Sequence, residues 1–173
     1  MQVRIFAMLE WSNIRLGSIR GNETVSAMEQ KEKDECVRLL HELGCSCVIG
    51  NGKKQWIGRE RGVKDLLYLL RNEPAQLQAA FVADKVVGKA AASLMILGGI
   101  SELDTNVLSL PASWLLRQYG VPFSAGRLVP HIINRAGNGW CPLEKRCFYA
   151  ESPEVCLQRI EAFLQLSGEK RKN

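Results

Sequence analysis

The chain has 173 residues, 46% of them hydrophobic, six cysteines and a formal net charge of +5. That length and apolar content suit one domain with a sizeable core. No apolar run is long enough to span a bilayer. The N-terminus lacks the basic segment and apolar stretch of a secretory signal. A cytoplasmic location is therefore expected, with reduced thiols rather than disulfides. The basic excess is dispersed: residues 29–167 are nearly balanced, and the surplus comes largely from Arg4, Arg15, Arg20 and Lys170-Arg171-Lys172. Nucleic-acid binders gather base on one face with interleaved aromatics, so nucleic acid is not the expected partner.

Residues 1–27 show no sustained period and are read as a disordered extension or an over-long start. The character changes at Met28, and 28–167 reads as a single α/β domain with a basic tail at 168–173. Residues 30–43 place Cys36, Val37, Leu40 and Leu43 on one helical face, with Gly44 suited to C′. Cys45–Ile49 and Gln55–Ile57 read as strands around Gly50-Asn51-Gly52, a hairpin signal. Val63, Leu66, Leu67 and Leu70 define a helix over 62–72, stopped by Pro74. A strand at 79–83 then leads to Asp84 as cap and to an apolar helix ending at Gly98-Gly99, with Lys85 and Lys89 on its first turns. Leu103–Leu108 reads as a strand, and Ser109 as the cap of a helix to Tyr119. Two extended pieces follow, at 121–125 and 127–131. Residues 134–149 read as an ordered loop, and Ser152-Pro153-Glu154 launches a last helix. The order α-β-β-α-β-α-β-α-β-α implies a three-layer α/β/α sandwich around a mixed sheet.

Three constellations have chemical potential. Asp84, Lys85 and Lys89 stand at a strand-to-helix junction, where ligands of open α/β sheets bind. Two lysines near a positive helix N-terminus call for negative partners. The junction is thus either an anion site, with Asp84 as nucleophile or base, or a capping aspartate with two snorkelling lysines. The segment His131–Cys147 mixes His131, Asn134, Arg135, Trp140 and Cys141 in irregular chain, which is costly to order for structure alone. Cys141 with His131 and Asn134 would make a thiolate–imidazole pair. Alternatively, Trp140 stacks on a ring while Arg135 and Asn138 hold polar atoms, or Trp140 is a core plug and Cys141 is buried. Cys45, Cys47, Cys141 and Cys147 with His41 and His131 are numerous enough for zinc, but their spacings are not those of zinc knuckles. Structural thiols are expected, with Cys45 and Cys47 sharing one strand face, and no metal.

The segments Val82–Ala92, Leu128–Arg135 and Gly139–Cys147 resemble a small prokaryotic domain-of-unknown-function family assigned to the cytidine-deaminase-like superfold. The resemblance runs from about residue 33 to 166. It implies a mixed five-stranded sheet ordered 2-1-3-4-5, with the Lys-bearing helix central. Deaminases of that superfold carry His/Cys-x-Glu and Pro-Cys-x-x-Cys at two helix starts. Here those stretches are Asp84-Lys85-Val86 and Pro111-Ala112-Ser113-Trp114-Leu115, so the zinc ligands and proton-shuttling glutamate are missing. Zinc-dependent deamination is therefore not expected. What the resemblance leaves is a cavity between two helix N-termini, sized for a nucleoside.

The function expected is metal-independent binding of a nucleotide or similar anionic small molecule. Lys85 and Lys89 would hold the anion and Asp84 a hydroxyl, while His131, Asn134, Arg135 and Trp140 close the far wall. Asp84 or Cys141 would be the catalytic group of any transfer chemistry; no cofactor is expected. The alternative is a non-catalytic sensor or protein-interaction module. Homo-oligomerisation is left open.

Overall fold

In the computed structural model, residues 28–52, 54–60 and 63–169 are described. The readings of residues 1–27 and of 170–173 lie outside these residues. The last helix runs to Glu169, past the expected domain boundary at 167.

Helix α1 (Gln30–Glu42) leads to the hairpin β1 (Cys47–Gly50) and β2 (Gln55–Gly58). Gly44, with φ near +62°, supplies the left-handed turn that ends α1. Helices α2 (Lys64–Asn72) and α3 (Pro74–Leu77) follow, so Pro74 both ends one helix and opens the next. Then β3 (Phe81–Val87), α4 (Lys89–Leu97), β4 (Glu102–Ser109), α5 (Leu110–Gln118) and β5 (Phe123–Val129) alternate. The chain closes with α6 (Pro142–Cys147) and α7 (Pro153–Glu169). Ser109 Oγ accepts from Ala112 N–H and Ser152 Oγ from Val155 N–H, so both expected serines sit at helix starts.

The sheet is mixed and five-stranded, ordered β2-β1-β3-β4-β5. β1 is antiparallel to both β2 and β3, while β3, β4 and β5 run parallel. Side chains along β3 alternate between two cores, as strand geometry requires. Phe81 and Ala83 face α1, where they meet Cys36, Leu40 and Val48. Val82 faces the larger core, with Leu69, Leu94, Met95, Leu108, Leu116 and Ile160. At the centre of that larger core is α4, buried over Ala90–Met95. Such all-round burial explains why its sequence carries almost no polar face.

Four local expectations change. β3 extends four residues past 83, so Asp84 and Lys85 are strand residues; the N-cap of α4 is Gly88, and only Lys89 lies on its first turn. The β-branched pair Val86-Val87 favours extended backbone and carries the strand on. The two extended pieces at 121–131 are one strand, because Gly126 continues it close over the Asn106 carbonyl. The loop at 134–149 contains α6, opened by Pro142. Cys45 and Cys47 fall in opposite cores, because Cys45 precedes the strand and does not follow its alternation. All six cysteines are free thiols. No described helix is long and apolar enough to cross a membrane.

Candidate functional site

A cavity of about 820 Å³ lies at the C-terminal end of β3. Its walls come from the Leu43–Ser46 turn, Arg59 and Glu60 after β2, Asp84–Val86, the start of α4, the Ile132–Arg135 segment and the first turn of α6. A volume in this range accommodates a small-molecule ligand. It does not lie between the N-termini of α4 and α5, as the resemblance implied: no α5 residue lines it. The space is bounded instead by the turn before β1 and by α6.

Asp84 sits in β3 opposite Cys47 of β1. Its Oδ1 accepts the Val86 backbone N–H at 2.9 Å. Burial is the largest influence on the carboxyl and pushes its pKa up to about 7, against the Val86 and Lys85 amides that favour the ionised form. Asp65 raises it further, and the Lys85 charge opposes this. Asp65 is itself buried and accepts the Glu60 N–H at 2.8 Å. A carboxyl titrating near neutrality can accept or donate a hydrogen bond at working pH. Burial beside the same carboxylates also pushes the Cys47 thiol well up.

Glu144, on α6, is the residue that sequence reading missed. It is 1% exposed, yet lines the cavity. Its Oε2 accepts the Lys89 backbone N–H at 2.7 Å, satisfying one orphan donor at the start of α4. Its Oε1 is buried without a hydrogen-bond partner. An unmatched buried acceptor costs about 1–3 kcal/mol, and more when charged. Gly88 makes the approach feasible, because a Cβ there would collide with Glu144 Oε2. A glycine at 88 and a glutamate in a Pro-Leu-Glu helix start were the available signals, and only their contact, between segments far apart in sequence, gives them meaning.

Lys89 turns away from the cavity. Its Nζ donates to Phe148 O at 2.9 Å and Ala150 O at 2.7 Å. It ties α4 to the end of α6 and does not line the cavity, so the anion-holding role is not open to it in this geometry. Lys85, by contrast, is half-buried and lines the cavity with the exposed Arg59 and Arg135. None of these three makes a salt bridge among the described residues.

The segment between β5 and α6 is a small hairpin. Ile133 bridges to Trp140, Asn134 N–H donates to Gly139 O at 2.7 Å, and Cys141 N–H to Ile132 O at 2.8 Å. Asn134 Nδ2 donates to Asn138 Oδ1 at 2.9 Å, and Asn134 Oδ1 accepts the Asn138 backbone N–H at 3.3 Å across the turn. His131 stacks on Trp140, centroids 4.0 Å apart, and Trp140 meets Phe148 edge-on at 5.0 Å. These rings hold the hairpin closed and are not among the cavity-lining residues. Of the hairpin residues expected to form a site, Asn134, Arg135 and Cys141 face the cavity, while His131 and Trp140 do not. The expected thiolate–imidazole pair is not formed: His131 and Cys141 share no hydrogen bond. Among the described residues, no three His, Cys, Asp or Glu side chains converge as metal ligands.

No curated protein matches the chain. Among solved structures it is similar to a DUF1893 family protein from Thermotoga maritima, at 25% sequence identity and a TM-score of 0.73. That match covers 84% of this chain and 99% of the other. The family model described as Domain of unknown function (DUF1893) matches residues 35–164. The architecture, the similar structure and the extent of the family match agree, and the chain belongs to the DUF1893 family.

Proposed function

We propose that this protein is a zinc-free, cytidine-deaminase-like three-layer domain that binds a nucleotide or a similar anionic small molecule. The observation that carries the reading is the division of polarity in the cavity. Arg59, Lys85 and Arg135 offer cationic groups that make no salt bridge among the described residues, while Glu144 is buried in the same wall and Asp84 is half-buried. Leu43, Val63, Val86, Ile132 and Leu143 supply apolar wall between them. A phosphate at the exposed cations loses little hydration and gains charge-assisted hydrogen bonds of about 1.5–3 kcal/mol each. A ring fits the apolar stretch, and Asp84 holds a hydroxyl. The cavity lies where open α/β sheets bind ligands.

Native mass spectrometry of protein purified without added ligand tests this. A co-purifying anionic mass that disappears in Lys85→Ala supports the reading. Bare polypeptide from both proteins, with no uptake of added nucleoside phosphates, favours the interaction-module alternative.

A second reading, transfer chemistry at Asp84, is favoured by that carboxyl's titration near 7, the range a general acid or base needs. Cys141 is the other candidate nucleophile because it lines the same cavity. Loss of turnover in Asp84→Asn or Cys141→Ser with ligand affinity retained supports catalysis; unchanged turnover in both removes it.

A further inference from the structure

We infer, resting on the nucleotide-like binding reading, that Glu144 selects the buried end of the ligand by accepting a hydrogen bond from a neutral N–H or O–H group remote from the anionic end. Two independent features meet at this carboxylate. One oxygen is fixed: Oε2 receives the Lys89 N–H at the start of α4. The other, Oε1, is buried, unpartnered and carried by a cavity-lining residue. The cavity wall therefore holds a buried acceptor to which no described residue supplies a donor.

The donor is neutral for an electrostatic reason. The carboxylate already sits against the positive end of α4, where its Oε2 takes the Lys89 backbone N–H. A second buried cation would lose its hydration against a charge that is already compensated, whereas an amino, imino or hydroxyl hydrogen loses little. Orientation follows from burial. The exposed Arg59 and Arg135 and the half-buried Lys85 suit the anion, and the 1% exposed Glu144 suits the uncharged end. Gly88 holds the seat open for the carboxylate. The ligand class is thus a phosphate ester with a hydrogen-bond donor at its far end, either on a nucleobase edge or as a sugar hydroxyl.

The test is isothermal titration of inorganic phosphate, ribose 5-phosphate and the ribonucleoside 5′-monophosphates into wild type and Glu144→Gln. The glutamine carbonyl can still accept the Lys89 N–H, and its amide then turns a donor toward the ligand's donor. The tightest phosphate ester should weaken by about ten- to a hundredfold, the loss of one hydrogen bond to a charged group. Inorganic phosphate, held by the cations alone, should stay within about twofold. A loss confined to nucleotides locates the donor on the base; one shared by ribose 5-phosphate locates it on the sugar. Equal affinities for the esters in wild type and a folded Glu144→Gln overturn the assignment and leave the binding reading standing. No binding of any phosphate ester to wild type overturns the reading on which it rests. Should Glu144→Gln fail to fold, Ile132→Phe, which fills cavity volume beside Gly88 and Glu144, provides the same contrast: weakened esters with unchanged phosphate support the assignment, and unchanged esters overturn it.

Discussion

Asp84→Asn separates a ligand-binding aspartate from a structural one, because asparagine keeps an oxygen for the Val86 N–H and removes only the charge. The Asp84 carboxyl moves from 3.8 to about 7 on folding, chiefly through burial. At 1.36 kcal/mol per unit this corresponds to about 4 kcal/mol. Asp84 keeps partial contact with the cavity and its solvent, so about half, 2 kcal/mol, is the working expectation. Below about pH 4 both folded and unfolded states are protonated, and the carboxyl's contribution is fully present. Between about 4 and 7 the unfolded chain ionises while the folded one does not, so stability falls as pH rises. Above about 7 the penalty is complete and constant. Urea unfolding at pH 4, 6 and 8 should therefore show Asp84→Asn equal to wild type at the lowest pH. At pH 8 it should be about 2 kcal/mol more stable, raising Tm by roughly 4–8 °C. A variant less stable than wild type at pH 8 would refute the reasoning. The ionised carboxylate would then be held by its surroundings and would belong to the scaffold.

Three further substitutions test the structural assignments. Lys89→Met leaves the Phe148 and Ala150 carbonyls without their donor and should cost about 3 kcal/mol in denaturant unfolding, without weakening phosphate-ester affinity more than about twofold. Gly88→Ala drives a methyl against Glu144 Oε2; about 2–3 kcal/mol of stability should be lost, and a silent substitution would contradict the capping geometry. Trp140→Ala removes the stack on His131 and the edge contact with Phe148. Amide exchange at Asn134, Asn138 and Cys141 should then rise about tenfold or more, while the sheet amides keep their protection.

The architecture was legible because helix faces and strands in this chain announce themselves locally. The Cys36/Leu40 face of α1, the serine caps at 109 and 152 and the Pro153 start are short-range signals, and the structure retains them. The order of the sheet came from the family resemblance, not from any single segment, and it holds. The junction at 84–89 was misread because a polar Asp-Lys pair looks like a strand end. It lies inside β3, where the strand runs into a cavity and polar side chains have somewhere to go. Lys85 and Lys89 then part company, one in the cavity wall and one clamped on backbone carbonyls. Glu144 was invisible for a different reason. In sequence it is one acid among the charges of Glu144-Lys145-Arg146, and its burial depends wholly on α4 being brought against α6. His131 and Trp140 were expected in a ligand wall because aromatic and polar residues crowd that stretch. Their stacking on each other is a tertiary fact that spacing does not encode.

The most direct test of the central claim is a ¹H–¹⁵N correlation titration of the full chain with nucleoside 5′-monophosphates. Saturable shifts should concentrate at the backbone amides of Lys85, Val86, Gly88, Asn134 and Cys141 and weaken when Lys85 is replaced by alanine. Shifts absent at millimolar nucleotide, or confined to surfaces away from the end of β3, would contradict the claim.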